Sequence, residues 1–241
     1  MLKQYKEIKE EYADTILLFR LGDFYEMFLE DAEVASEVLE IVLTSREAGK
    51  GRRIPMCGIP YHAASGYIAR LIAKGHKVAI CEQVEDPKKA KGLVKREVVR
   101  VITPGTLIDE QVLEEKNNNY LVALVRMEET YGLAVADLST GDFVVTQLPA
   151  DDALLIDELS HWQPKEILIP TDQMPFWSWL KQRAEVLLTP RPVQDYQWER
   201  AQECLQTHFQ VASLEGYGCQ HLQAALPICI SRWPLRPRAL F

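Results

Sequence analysis

Between residues 109 and 119 the chain reads DEQVLEEKNNN, a polar run with no periodicity that would give it a face to bury. A segment of that kind is a linker, and it limits the chain to two separate folding problems of about 110 residues each, a normal domain size. The reading that follows is a first unit at 1–110, a linker at 111–119, a second unit at 120–225 and a residual tail at 226–241.

In the first unit helix and strand signals are intermixed, which predicts an α/β (α+β) fold. Lys and Glu at helical spacing predict an exposed helix over 2–13. TILLFR (15–20) is a short apolar strand, Gly22-Asp23 a turn, and Phe24 to Phe28 a second extended segment. Residues 31–43 form an amphipathic helix presenting Val34, Val38, Leu39 and Val42 on one face. The Gly-rich basic stretch 46–53 reads as a loop, and Ile54 to Pro60 as extended. A helix from His62 to Lys74 stops at Gly75, and strands follow at 77–82 and 97–103, separated by a basic loop.

The second unit opens with three short strands, Tyr120–Arg126, Tyr131–Asp137 and Asp142–Gln147, joined by turn residues as an antiparallel meander. Helix and strand then alternate: helix 151–161, strand 166–169, helix 176–183, strand 185–188, helix 195–209. That order predicts a ribonuclease-H-like sheet. Residues 226–241 (LPICISRWPLRPRALF) carry three prolines, three arginines and no carboxylate, and are expected to be an aberrant, truncated or frame-shifted end.

Composition excludes some classes. Apolar runs fall far short of the roughly 20 residues a membrane span needs, and the charged start MLKQYKEIKEEY lacks a secretory apolar core. The five scattered cysteines form no CxxC pair and fit a reduced, cytoplasmic protein with small buried thiols. Net charge is −8, but it is uneven: −7 over residues 1–45, +8 over 46–100 and −9 over 101–241. The basic stretch is either a solvated face or a phosphate-contacting surface.

Three blocks, LFRLGDFYEMF (18–28), IPMCGIPYHAASGYIARLIAKGHKVAICEQ (54–83) and KREVVRVITPGT (95–106), make the chain resemble the bacterial MutS family of DNA mismatch repair proteins. The resemblance covers residues 1 to about 225. It implies a mixed-sheet mismatch-recognition domain followed by a ribonuclease-H-like connector domain. It implies mismatched duplex DNA as the ligand, a MutL-type partner docked by the connector near Gln202–Phe209, and a homodimer in the full-length bacterial, nucleoid-associated protein. ATP and magnesium belong to the full-length family, whose ATPase site is expected elsewhere; no GxxxxGK[ST] phosphate loop occurs here, so this chain is read as no enzyme, and no cofactor is expected in it.

The resemblance makes Phe24 the ring inserted at a mispair. On spacing alone it is either a core ring or a wedge near a turn. A wedge entering from the minor groove unstacks and kinks a step, and ring–base stacking of about 1–3 kcal/mol accepts any base. Glu26 projects on the same side as Phe24 if the segment is extended; it is either a solvated carboxylate or, as the family implies, a hydrogen-bonding partner of the mispaired base. Purine N7 and an ionised carboxylate are both acceptors, so Glu26 is expected to carry a proton there. Met56 and Gly58 mark backbone that approaches DNA in the family, and Arg52, Arg53, Lys95, Arg96 and Arg100 are candidate phosphate contacts. Two other classes remain in view: a metal-dependent nuclease on the second unit, against which Asp137 and Asp142 read as hairpin residues, and a partner-docking module that does not touch DNA.

Overall fold

A computed structural model describes residues 1–47, 53–85, 94–107, 118–184 and 186–217. Arg52, most of the linker and the 226–241 tail lie outside the described residues. The chain divides into two compact units, Met1–Lys116 and Asn117–Phe241.

Unit 1 runs α1 (Leu2–Glu11), β1 (Ile16–Leu21), β2 (Phe24–Phe28), α2 (Glu30–Leu39), β3 (Thr44–Glu47), β4 (Arg53–Pro60), a 3-10 turn (Tyr61–Ala63), α3 (Ala64–Ala73), β5 (Val78–Gln83) and β6 (Arg96–Ile102). The strands form one mixed sheet in the order β3-β4-β2-β1-β5-β6, with β1 and β5 parallel and every other pair antiparallel. The apolar run that predicted β1 lies at the sheet centre. Leu17, Leu18 and Phe19 are all fully buried although neighbours along a strand point to opposite faces. Both faces are therefore covered: α2 and α3 pack over Ile16, Leu18, Tyr25 and Met27, and α1 packs over Leu17, Phe19 and Phe28.

Helix α1 is fastened by a buried carboxylate. Asp31, at the start of α2, accepts from Tyr5 Oη at 2.6 Å, Lys9 Nζ at 2.8 Å and the Leu17 amide at 3.1 Å. Tyr5 also sits edge-on between Phe19 and Phe28, with ring centroids 5.5 and 5.1 Å away. Helix α2 corrects the sequence reading. It ends at Leu39, followed by Glu40 as a left-handed cap (φ 56°), and buries Asp31, Ala32, Ala35, Ser36 and Leu39. Val34 faces solvent, and Val42, beyond the helix end, is 78% exposed. Small alanines let the helix lie close on β2 and β4, where the Cys57 thiol reaches Ala32 O at 3.4 Å; branched valines there would hold it off. The basic stretch expected as a loop is partly strand, since β3 pairs with β4 through Thr44↔Met56 to Glu47↔Arg53.

Unit 2 contains β7 (Tyr120–Met127), β8 (Thr130–Asp137), β9 (Phe143–Pro149), α4 (Asp152–Trp162), β10 (Glu166–Pro170), α5 (Met174–Trp177), α6 (Leu180–Arg183), β11 (Leu187–Arg191) and α7 (Trp198–Phe209). Its sheet order is β11-β10-β7-β8-β9: the antiparallel meander, then β10 and β11 added in parallel, as a ribonuclease-H-like order requires. Helices α4 to α6 cover one face through Leu155, Leu159, Trp177 and Leu180, and α7 covers the other through Leu205. The Asp151 carboxylate caps α4 by accepting from the Ala153 amide at 2.8 Å. Strand β11 runs past the predicted end because Pro190 is tolerated on an edge strand.

Candidate nucleic-acid interface

Leu21 pairs with Phe24, so β1 and β2 are joined by the two residues Gly22 and Asp23. Gly22 has φ +57° and a Cβ there would meet nothing within 4 Å, so the backbone conformation, not space, calls for glycine. Glycine at the first central position with positive φ is the pattern of a type II′ hairpin, whose twist matches the flanking strands. Phe24 leaves this turn 46% exposed. The register puts Phe24, Glu26 and Phe28 on one face with their β4 partners Pro60, Gly58 and Met56. Helix α1 covers that face at Phe28 and leaves it open at Phe24 and Gly58, both of which are exposed. Met56 is half-buried against the α1-side core.

Gly58 lies across from Glu26. A Cβ at 58 would sit 3.5 Å from Glu26 Cγ and 3.8 Å from Phe24 Cδ1, ordinary contact distances. Among the described residues no contact demands glycine there, and its missing side chain leaves the space beside Glu26 and Phe24 that a Cβ would take. Glu26 Oε2 is buried with no hydrogen-bond partner among the described residues. Burial raises the Glu26 carboxyl above the usual range, and the Arg46 charge works in the opposite direction. Arg46 pairs with Ile54, which places it on the same face as Met56, Gly58 and Glu26. The sequence did not single it out, because its place on this face exists only through the β3–β4 register.

The expected phosphate contacts do not form one patch. Arg53 is exposed at the far end of β4 and donates to Ser45 Oγ at 2.8 Å. Lys95 is exposed and pairs with Glu97 at 2.5 Å. Arg100 is exposed on β6, three strands from β2 and so about 14 Å across the sheet. Arg96 is 7% exposed. Its guanidinium donates to Arg20 O at 2.8 Å, Val94 O at 2.9 Å and Gln4 Oε1 at 3.2 Å, and lies 4.9 Å from the Phe19 ring centre. Arg96 thus ties α1 and β6 to the tip instead of facing a ligand. Part of the local positive charge is also balanced within the unit, through Arg70 with Glu40 and Lys77 with Asp14.

In unit 2, Asp137 is fully buried and accepts from Ser139 N and Oγ and from the Asn119 amide, contacts that hold its carboxyl below the usual range against burial. Asp142 lies across the same turn, where its carbonyl accepts from the Asp137 amide at 3.0 Å. Both are hairpin residues, and among the described residues no three His, Cys, Asp or Glu side chains gather as a metal site. No helix among them is long and apolar enough to cross a membrane. Cys57 and Cys81 are buried thiols with pKa values raised by burial to about 11 and about 12, whereas Cys204 is exposed.

Two mixed α/β units make up the chain, and the first carries a two-residue hairpin that leaves one ring exposed on the same face as a half-buried carboxyl. The family is explicit in the comparisons. Residues 1–111 match the model for MutS domain I and residues 119–231 that for MutS domain II. The chain is 52% identical over 221 residues to the DNA mismatch repair protein MutS of Syntrophobacter fumaroxidans, covering 90% of this chain and 25% of that protein. It is 60% identical over 172 residues to MutS of Pelotomaculum thermopropionicum, covering 70% and 20%. The chain belongs to the MutS family and spans about a quarter of the length of these relatives.

Proposed function

We propose that unit 1 recognises mispaired or unpaired bases in duplex DNA as the first step of mismatch repair, with Phe24 as the inserted ring and Glu26 as the hydrogen-bonding group. The observation that carries this reading is an apolar ring left 46% exposed beside a two-residue hairpin turn, on the same face as a carboxyl oxygen that has no partner among the described residues. A mispair stacks poorly, so a wedge enters its step at low cost. The space left at Gly58 admits the displaced base edge next to Glu26. A neutral Glu26 donates to purine N7, which an ionised carboxylate cannot do. Arg46, Arg53, Lys95 and Arg100 supply phosphate contacts that set register without reading sequence; Arg96 supports the tip from inside. In the full-length protein, unit 2 acts as a connector that docks a MutL-type partner, and the whole works as a homodimer that uses ATP and magnesium at the bacterial nucleoid.

The test is binding of mismatched and matched duplexes to this chain and to a version extended through the ATPase region. Phe24→Ala is expected to remove about 1–3 kcal/mol of mismatch preference, the worth of one ring–base stack. Unchanged preference in both backgrounds would rule the wedge out.

A further inference from the structure

We infer that Arg20 is a positioning residue for the probe: its guanidinium locks the Gly22–Asp23 turn and thereby fixes where Phe24 points. The inference rests on the mismatch-probing role of Phe24. Arg20 is the residue before Leu21 on β1, and its side chain folds back under the turn. Its Nε donates to Gly22 O at 2.5 Å. Its guanidinium lies 3.6 Å from the Tyr61 ring centre and 5.6 Å from that of Tyr25, and its Nη1 is 3.7 Å from Glu82 Oε1. Each of these partners is itself anchored. The Tyr61 amide donates to Asp23 O at 3.0 Å, the second carbonyl of the turn, and the Tyr25 hydroxyl donates to Glu82. Arg20 O is in turn held by Arg96 Nε at 2.8 Å. Both turn carbonyls are therefore bonded within one cluster, on the sheet face opposite Phe24.

A planar, permanently charged fork suits this position. It stacks on a ring, pairs with a carboxylate and donates to a carbonyl at once, and lysine cannot do all three. A wedge held in one direction does not have to be ordered when DNA binds, so more of its stacking energy is available to discriminate.

The test uses the 241-residue chain, a duplex with one G·T mispair and the matched duplex. Arg20→Ala is expected to lower the mismatched-to-matched affinity ratio about tenfold. Arg20→Lys keeps the charge beside Glu82 and is expected to recover part of that loss. On the free chain, amide hydrogen exchange is expected to quicken at Phe24 and Tyr61, whose amides close and flank the turn, in Arg20→Ala and to stay slow at Leu17 and Leu18. Where the wild-type chain prefers the mispair, an unchanged ratio overturns the inference; so does unchanged exchange at the turn, or uniformly faster exchange at the β1 core in both variants. A wild-type chain with no mismatch preference, but with turn exchange that still responds to Arg20→Ala, instead overturns the probing function and supports the hold on the turn.

Discussion

Glu26 is the residue on which pH should act. Burial holds its carboxyl above the ordinary range in the folded protein, so the folded state binds that proton more tightly than the unfolded chain. Its contribution to stability is full below the unfolded pKa of about 4.3 and is lost as pH rises through the folded value. Glu26→Gln is neutral at every pH. It is expected to raise the thermal midpoint slightly at pH 7 and to lose that advantage near pH 4, as seen by calorimetry across pH. In binding, wild-type mismatch affinity should weaken as pH rises through the bound-state pKa, while the Gln variant binds with a flat profile and blurred discrimination. Equal pH profiles for the two proteins would show that no proton is involved. That Phe24 and Glu26 share one side of an extended segment after a Gly-Asp turn was legible in the sequence; their reading as a probe came from the family resemblance. The space at Gly58 and the charge of Arg46 were not legible there, because both depend on pairing with β4.

At the scale of elements, the packing of α1 and α2 on the sheet decides stability. Asp31→Ala leaves the Tyr5 hydroxyl, the Lys9 ammonium and the Leu17 amide without their shared acceptor. Breaking a buried charged network in this way is expected to cost about 3 kcal/mol. That lowers the melting midpoint of a unit this size by roughly 10 °C or more. Helix α2 offers a paired test of which face is inside. Val34→Ser should change stability by less than about 0.5 kcal/mol, since the side chain faces water. Ala35→Leu, at a fully buried position, should cost about 1–3 kcal/mol by overpacking. Chemical denaturation measures both; the reverse ranking would restore the valine face. Of the four residues expected on one face, Leu39 is buried and Val38 packs against the core, whereas Val34 is exposed and Val42 lies beyond the helix end at Leu39, where helical periodicity no longer applies.

At the scale of the whole molecule, each unit has its own core. Residues from Tyr5 to Ile102 build the clusters of unit 1, and residues from Val122 to Leu214 those of unit 2. A fragment ending at Lys116 is therefore expected to fold alone, with a single cooperative thermal transition and retained amide protection at Leu17, Leu18 and Phe19. A broad, non-cooperative melt would show that unit 1 needs its neighbour.

By itself the sequence determined the mixed α/β class, the order of strands in the second sheet and the Gly22-Asp23 turn between two strands. Those depend on periodicity and turn chemistry, which act over a few residues and are written locally. The tertiary structure alone decided which face of α2 is buried, that Arg96 is an internal brace, and that Arg46, Gly58 and Glu26 share a face while Arg20 and Tyr61 back the turn. Those outcomes join residues far apart in the chain through strand register and close packing, and neither has a signature within a short window of sequence.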